Sequence, residues 1–202
     1  VVTVLAAILL GGARRAKPNA FTRSAAQIAR LGYAVPGGVI AVGLMVPAAA
    51  FDNALDSFLR DTFGISTGLL ITGSITLLVL AYLTRFLAAA IAGYESGASA
   101  VSDNLDDAAR VLGASPARSL VRVQVPLLAP SLLTAVLIVF VDVMKELPAT
   151  LILRPFNFDT LAVQAFRLAS DERLTGAAVP SLVIVAIGLI PTMLLCRRIG
   201  RD

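Results

Sequence analysis

Histidine is absent from this 202-residue chain, and cysteine occurs once. Those two scarcities exclude a disulfide within the chain, histidine-based acid–base catalysis and any Cys/His zinc site. No Gly-x-x-x-x-Gly-Lys-Ser/Thr run occurs, so there is no Walker-type phosphate loop. With no catalytic constellation, the sequence does not read as an enzyme, and no catalytic or metal-ligating residue is assigned. Charge is also scarce. Charged residues make up 15% and apolar ones 57%, against about a quarter and a half in ordinary soluble domains. The chain therefore reads as a multi-span membrane protein. Its net charge of +4 would suggest nucleic acid in a soluble domain; here it reflects basic residues held on one side of a bilayer, and no nucleic-acid partner is expected.

What is present is a series of apolar runs with polar intervals. Residues 1–10 are apolar but cover only ~15 Å as a helix, half a bilayer core, and read as the second half of a span. Residues 11–30 carry Arg14, Arg15, Lys17, Arg23 and Arg30 with no acidic residue, as a cytoplasmic connector should. Complete spans are expected at 31–51, 67–93, 127–147 and 177–196. The first is weakened by Pro36, Gly37, Gly38, Gly43 and Pro47, which neighbouring helices can compensate. Arg85 sits two turns from the end of the second and is expected to snorkel. The intervals 11–30, 94–126 and 197–202 hold eleven Lys and Arg; 52–66 and 148–176 hold four. The positive-inside rule puts the first set, and the C-terminus with Arg197, Arg198 and Arg201, in the cytoplasm.

The longest polar interval, 103–126, has internal order. Asp103 or Asn104 can cap a helix whose first turn carries Asp106 and Asp107. Gly113 falls where a left-handed residue would close it. Ser115-Pro116 restarts the chain as cap and first helical residue of a second helix, with Leu120, Val121, Val123 and Val125 on its apolar side and Pro126 as its stop.

This interval resembles the cytoplasmic loop of permease subunits of ATP-binding-cassette importers. That loop reads Glu-Ala-Ala, three residues, Gly, nine residues, Ile-x-Leu-Pro. Here Asp107-Ala108-Ala109, Gly113 and Val123-Gln124-Val125-Pro126 keep the spacing, with Asp for Glu and Val for Ile and Leu. The resemblance implies an all-α polytopic transmembrane helix bundle of the ABC-importer permease (MetI-like) type. By the same resemblance, residues 1–202 are expected to form one transmembrane permease domain, the C-terminal half of a longer permease, in the bacterial inner membrane. It implies as partners a dimer of ATP-binding-cassette ATPase subunits, a second permease half, an extracytoplasmic solute-binding protein and membrane lipid. No cofactor is expected in this chain, since the resemblance assigns ATP-Mg to the ATPase. Asp107, Ala108, Ala109, Gly113 and Pro126 become the ATPase-coupling residues.

Asp142, Lys145 and Glu146 lie at offsets of three and four near the outer end of the third span, on one helical face. Ionisable groups at that depth face protein or a wet cavity. Two readings stand side by side: a salt-bridged packing lock, and a polar patch lining the solute path. Asp159 is expected to cap a short interfacial helix, Thr160–Ala169, in the extracytoplasmic loop 148–176. The block from Phe140 through Lys145-Glu146-Leu147-Pro148 to Ser170-Asp171-Glu172-Arg173-Leu174 is similar to ferric-iron importer permeases. That implies ferric iron as the solute. An importer of the same architecture for thiamine, polyamine or an inorganic anion is the alternative; a passive channel or membrane-embedded enzyme is the alternative from another class.

Overall fold

The computed structural model describes residues 1–102 and 104–199, with the backbone alone over 194–199. Asp103 and the side chains of Arg197, Arg198 and Arg201 therefore lie outside the described residues. All regular elements among the described residues are helical, in the order α1 (Val2–Ala16), α2 (Ala20–Leu31), α3 (Gly37–Phe63), α4 (Ile75–Ala98), α5 (Asn104–Val111), α6 (Pro116–Ser119), α7 (Val125–Met144), α8 (Pro148–Leu153), α9 (Leu161–Ser170) and α10 (Leu174–Ile199). Among the described residues, four helices are long and apolar enough to cross a membrane: Gly37–Phe63, Ile75–Ala98, Pro116–Met144 and Leu174–Met193.

Several expected boundaries move, each for a local reason. The connector at 11–30 is largely helical, as the end of α1 and then α2. The first span starts later than residue 31, because Pro36 provides its cap position, and it runs on through the expected loop at 52–66 as far as Phe63. The true connection is Gly64–Ser74, with Gly64 in the left-handed conformation. Two aspartates one turn apart on α3 hold that connection. Asp56 Oδ1 accepts the Thr67 and Gly68 N–H groups at 2.7 and 2.9 Å. Buried Asp52 accepts those of Ile71 and Thr72 at 3.1 and 2.7 Å. Polar residues that look like loop in a hydropathy scan are here anchors for a loop.

Pro126 does not stop the helix that begins at Pro116. A π-helical turn, Leu120–Gln124, joins α6 to α7, so the helical path is continuous to Met144. Proline lacks the N–H that Arg122 would otherwise receive, and a wider turn just before it absorbs that loss. The third span ends earlier than expected, at Met144; Lys145, Glu146 and Leu147 form a turn before Pro148 opens α8. Thr160, not Asp159, caps the short helix, accepting the Val163 N–H. Asp159 instead pairs with Arg154 and Arg167. The fourth span is longer at its start, beginning at Leu174.

The chain divides into two compact units. One comprises Val1–Ala34 and Phe86–Phe140, the other Val35–Arg85 and Val141 onward. In the first, α4 and α7 meet through small residues: a Cβ on Gly93 would fall 2.5 Å from Ala135 Cβ, and one on Gly97 would fall 2.8 Å from Ser131 Cβ. Small residues four apart on both helices let the backbones approach, the packing available where lipid removes the hydrophobic drive between helices. In the second unit, Ile40, Ala41, Leu77, Leu78, Ala81, Ala149 and Leu153 form the core, and α8 packs on α3.

Gly93→Val should overpack the α4–α7 contact and cost about 1–3 kcal/mol. A thermal melt in detergent reads this as a lowered midpoint, whereas Gly43→Val, where a side chain would meet nothing within 4 Å, leaves the midpoint in place.

Candidate functional site

The α5–α6 interval is built largely as its residue pattern indicates. Asn104 is the first residue of α5, and Asp106 and Asp107 stand in its first turn. Gly113 has φ +80°. Its N–H donates to Arg110 O, and that of Ala114 to Ala109 O, both at 2.9 Å, the paired bonds of a Schellman ending. Ser115 Oγ accepts the Arg118 N–H, with Pro116 at the first helical position.

What holds this helical corner in place is a residue the sequence offered only as a helix-start charge. Asp106 is buried. Its Oδ2 lies 2.5 Å from Arg15 Nε, and its Oδ1 accepts Ser119 Oγ–H and Gln124 Nε2–H, each at 2.9 Å. One carboxylate thus ties α5 to α1, α6 and the π turn. Arg15 also donates to Val101 O at 2.9 Å and to Ala98 O at 3.3 Å, where α4 ends. Gln124 Oε1 in turn accepts Tyr94 O–H at 3.1 Å. Two glycines let α1 come close enough: a Cβ on Gly11 would strike the Tyr94 ring, and one on Gly12 the Leu120 side chain. Burial alone would push the Asp106 carboxyl up. The bonds from Gln124, Ser119 and Arg15, with the Arg15 charge, outweigh it and hold the carboxyl below its ordinary value.

The five expected coupling residues divide by exposure. Asp107 and Ala108 are exposed, Asp107 paired with Arg110 at 3.1 Å. Gly113 and Pro126 are exposed as well. Ala109 is buried and packs α5 against its own unit, so it presents no surface to a partner. The sequence reading passed over Val111 and Leu112, which stand 88% and 87% exposed at the end of α5. Their signal was available: two large apolar residues directly before a helix-ending glycine in a polar interval. The corner is an exposed ridge with an apolar tip and a rigid base, a shape suited to insertion in a cleft.

The three charged residues at the end of the third span, Asp142 within α7 and Lys145 and Glu146 just past it, do not form one patch. Lys145 pairs with Asp142 at 2.9 Å, while Glu146 Oε2 lies 3.1 Å from Arg85 Nε. Arg85 therefore does not snorkel; its Nη1 also donates to Val35 O at 3.2 Å. Glu146 Oε1 accepts the Ala149 N–H, and Glu146 O accepts Thr150 Oγ–H at 2.7 Å. Since the Thr150 hydrogen is used there, Tyr82 O–H is the donor in its 2.5 Å contact with Thr150 Oγ1. Gly37 leaves room for the ion pair, as a Cβ there would lie 2.4 Å from Glu146 Oε1.

The sequence profile of the binding-protein-dependent transport system inner membrane components matches residues 3–201. The chain belongs to that family. Among relatives of this permease is an Fe(3+)-transport system permease protein of Haemophilus influenzae, 28% identical over 163 residues, which are 81% of this chain and 29% of the relative. Another is a putative 2-aminoethylphosphonate transport system permease protein of Salmonella typhimurium, 30% identical over 132 residues, 64% of this chain and 50% of the relative. The chain thus spans half or less of the length of these curated relatives. The helical architecture and the membrane-capable helices among the described residues accord with that family, and the chain resembles ferric-iron importer permeases.

Asp106→Ala should destabilise the permease by about 2–3 kcal/mol, because it leaves Arg15 without its carboxylate. Hydrogen exchange reads this as faster exchange across 104–124 with the core of the other unit unchanged. The depressed carboxyl sets the sign with pH. Its contribution is present above the ordinary aspartate value of about 3.9 and is lost only as pH falls through the still lower folded value. Protection should therefore be flat around neutrality and fall in acid. At the other ion pair, Arg85→Glu and Glu146→Arg should each lower the melting point, and the double exchange should recover most of it if the pair serves packing.

Proposed function

We propose that this permease translocates solute by alternating access, driven by an ATPase that grips the α5–α6 corner. The observation that carries the reading is the combination of an exposed tip, Asp107, Ala108, Val111 and Leu112, with a base latched at Asp106. A tip on a floppy loop could bind a partner without transmitting its motion. Here force on α5 passes through Asp106 to α1 and into α7, whose helical path is continuous with α6 through the π turn. The distribution of Lys and Arg supports a cytoplasmic corner and C-terminus. The partners in this proposal are a pair of ATPase subunits holding ATP-Mg, a second permease half and an extracytoplasmic binding protein.

Ferric iron is the proposed solute. Support comes from the iron relative, which aligns over the larger share of the chain, 81% against 64%. The second reading, an organophosphonate, rests on the slightly higher identity of the phosphonate relative. Asp142 and Glu146 are both engaged by cations, so the iron reading places its selectivity in the binding protein, with only passing contacts in the membrane.

The test is uptake into proteoliposomes holding the complete permease with its ATPase and binding protein. Gly113→Pro removes the N–H donated to Arg110 and cannot adopt φ +80°, and Asp107→Arg reverses the tip's charge. Both should abolish uptake while the protein still inserts; uptake at the normal rate by either would contradict the coupling reading. Radioactive iron accumulating where labelled 2-aminoethylphosphonate does not would support iron, and the reverse would select the phosphonate.

A further inference from the structure

The stretch 154–160, which joins α8 to α9, holds one aromatic ring almost wholly in the open. Phe156 is 97% exposed, the most of any large apolar side chain among the described residues. The ring is not carried on a loose loop. Phe158 N–H donates to Pro155 O at 3.2 Å, and Asn157 has φ +59°, the left-handed third position of a tight turn that asparagine tolerates. Arg154 reaches across the turn, donating to Phe158 O at 3.3 Å and pairing with Asp159. Arg167 of α9 holds the same carboxylate at 3.0 Å. Phe158 lines an apolar pocket of the same unit with Ile75, Leu78 and Tyr82. The turn is thus fastened at both ends and through Phe158, while Phe156 stands out from it.

The surface around that ring is polar and carries both signs. Arg154, Asn157, Asp159 and Arg167 line, with Gly73 and Leu151, a cavity of about 420 Å³ beside it. Two arginines share one aspartate, which leaves the rim net positive. An aromatic centre inside a charged rim is the anatomy of a protein-binding hot spot. A ring on a turn already set also loses little freedom on docking. A fluid lipid surface gains nothing from a fixed turn, whereas a folded partner with a matching socket does. The family is binding-protein-dependent, and one membrane-capable helix, Pro116–Met144, lies in sequence between α5 and this turn. In the orientation proposed above for α5, the turn is therefore outside, where a solute-binding protein arrives.

We propose, resting on that orientation and partner, that Phe156 is the anchor on which the extracytoplasmic solute-binding protein docks. Its ring enters an apolar socket on that protein, and acidic side chains at the edge of the socket meet Arg154 and Arg167. Asn157 is a positioning residue, because its left-handed backbone aims the ring.

The complete transporter with its ATPase is placed in lipid nanodiscs and titrated with the purified solute-binding protein that sustains uptake in the proteoliposome assay, while ATP hydrolysis is followed. Phe156→Ala should raise the concentration for half-maximal stimulation about tenfold or more and leave hydrolysis without binding protein unchanged. Asn157→Val keeps the ring but disfavours a positive φ, so it should weaken docking too; Asn157→Gly, which adopts that φ freely, should not. Added salt should weaken docking of the unaltered transporter, and indifference to salt would overturn the acidic rim. A photoreactive benzoyl-phenylalanine in place of Phe156 should cross-link to the binding protein. An unchanged titration with Phe156→Ala would overturn the anchor, as would cross-links confined to lipid or to a second copy of the permease. Import that needs no binding protein would instead overturn the partner reading itself.

Discussion

A single buried carboxylate governs the α5–α6 corner of this permease. Asp106 joins Arg15 of α1, Ser119 of α6 and Gln124 of the π turn, and Tyr94 of α4 enters through Gln124. Four separate stretches of chain thus depend on one acceptor. Removing a buried acceptor costs the desolvation of every donor left behind, so such a network holds together or fails as a unit. That cooperativity turns a polar interval of eight- and four-residue helices, too short to be stable alone, into a rigid corner.

The same economy recurs elsewhere in the molecule. Near the membrane each backbone N–H outside a regular helix needs an acceptor, and α3 supplies two with Asp52 and Asp56. The break after α7 is held by Glu146, which takes a cation from α4 and an N–H from α8. Glycine serves close approach at Gly11, Gly37, Gly93 and Gly97 and backbone handedness at Gly113. Polar and small residues thus secure the bends and contacts, while the long apolar faces need only compatibility with lipid.

The sequence made legible whatever is governed by neighbours in the chain. The Ser115-Pro116 start, the Gly113 ending and four apolar helices long enough to span all follow from local rules, and all stand among the described residues. What it hid depends on distant partners. Arg15 and Asp106 are 91 positions apart, and no periodicity in either segment points to the other. Asp52 looked like the first residue of a loop because hydropathy registers its charge and not its burial. Pro126 looked like a stop because the rule assumes α-helical geometry; a π turn removes the conflict. Glu146 lay beside Lys145 in sequence, yet Arg85 reaches it instead, since Lys145 already belongs to Asp142 one turn back. Ala109 matched the family spacing, but its burial shows that the spacing also serves internal packing.

In the proposed mechanism the Asp106 latch makes the corner a transmitter of force and not merely a binding surface. The most direct test is the ratio of solute imported to ATP hydrolysed in proteoliposomes carrying Asp106→Asn, which keeps the side chain's size and removes its charge. The ATPase should remain bound and go on hydrolysing ATP while import per ATP falls. Import per ATP equal to that of the unaltered permease would contradict it.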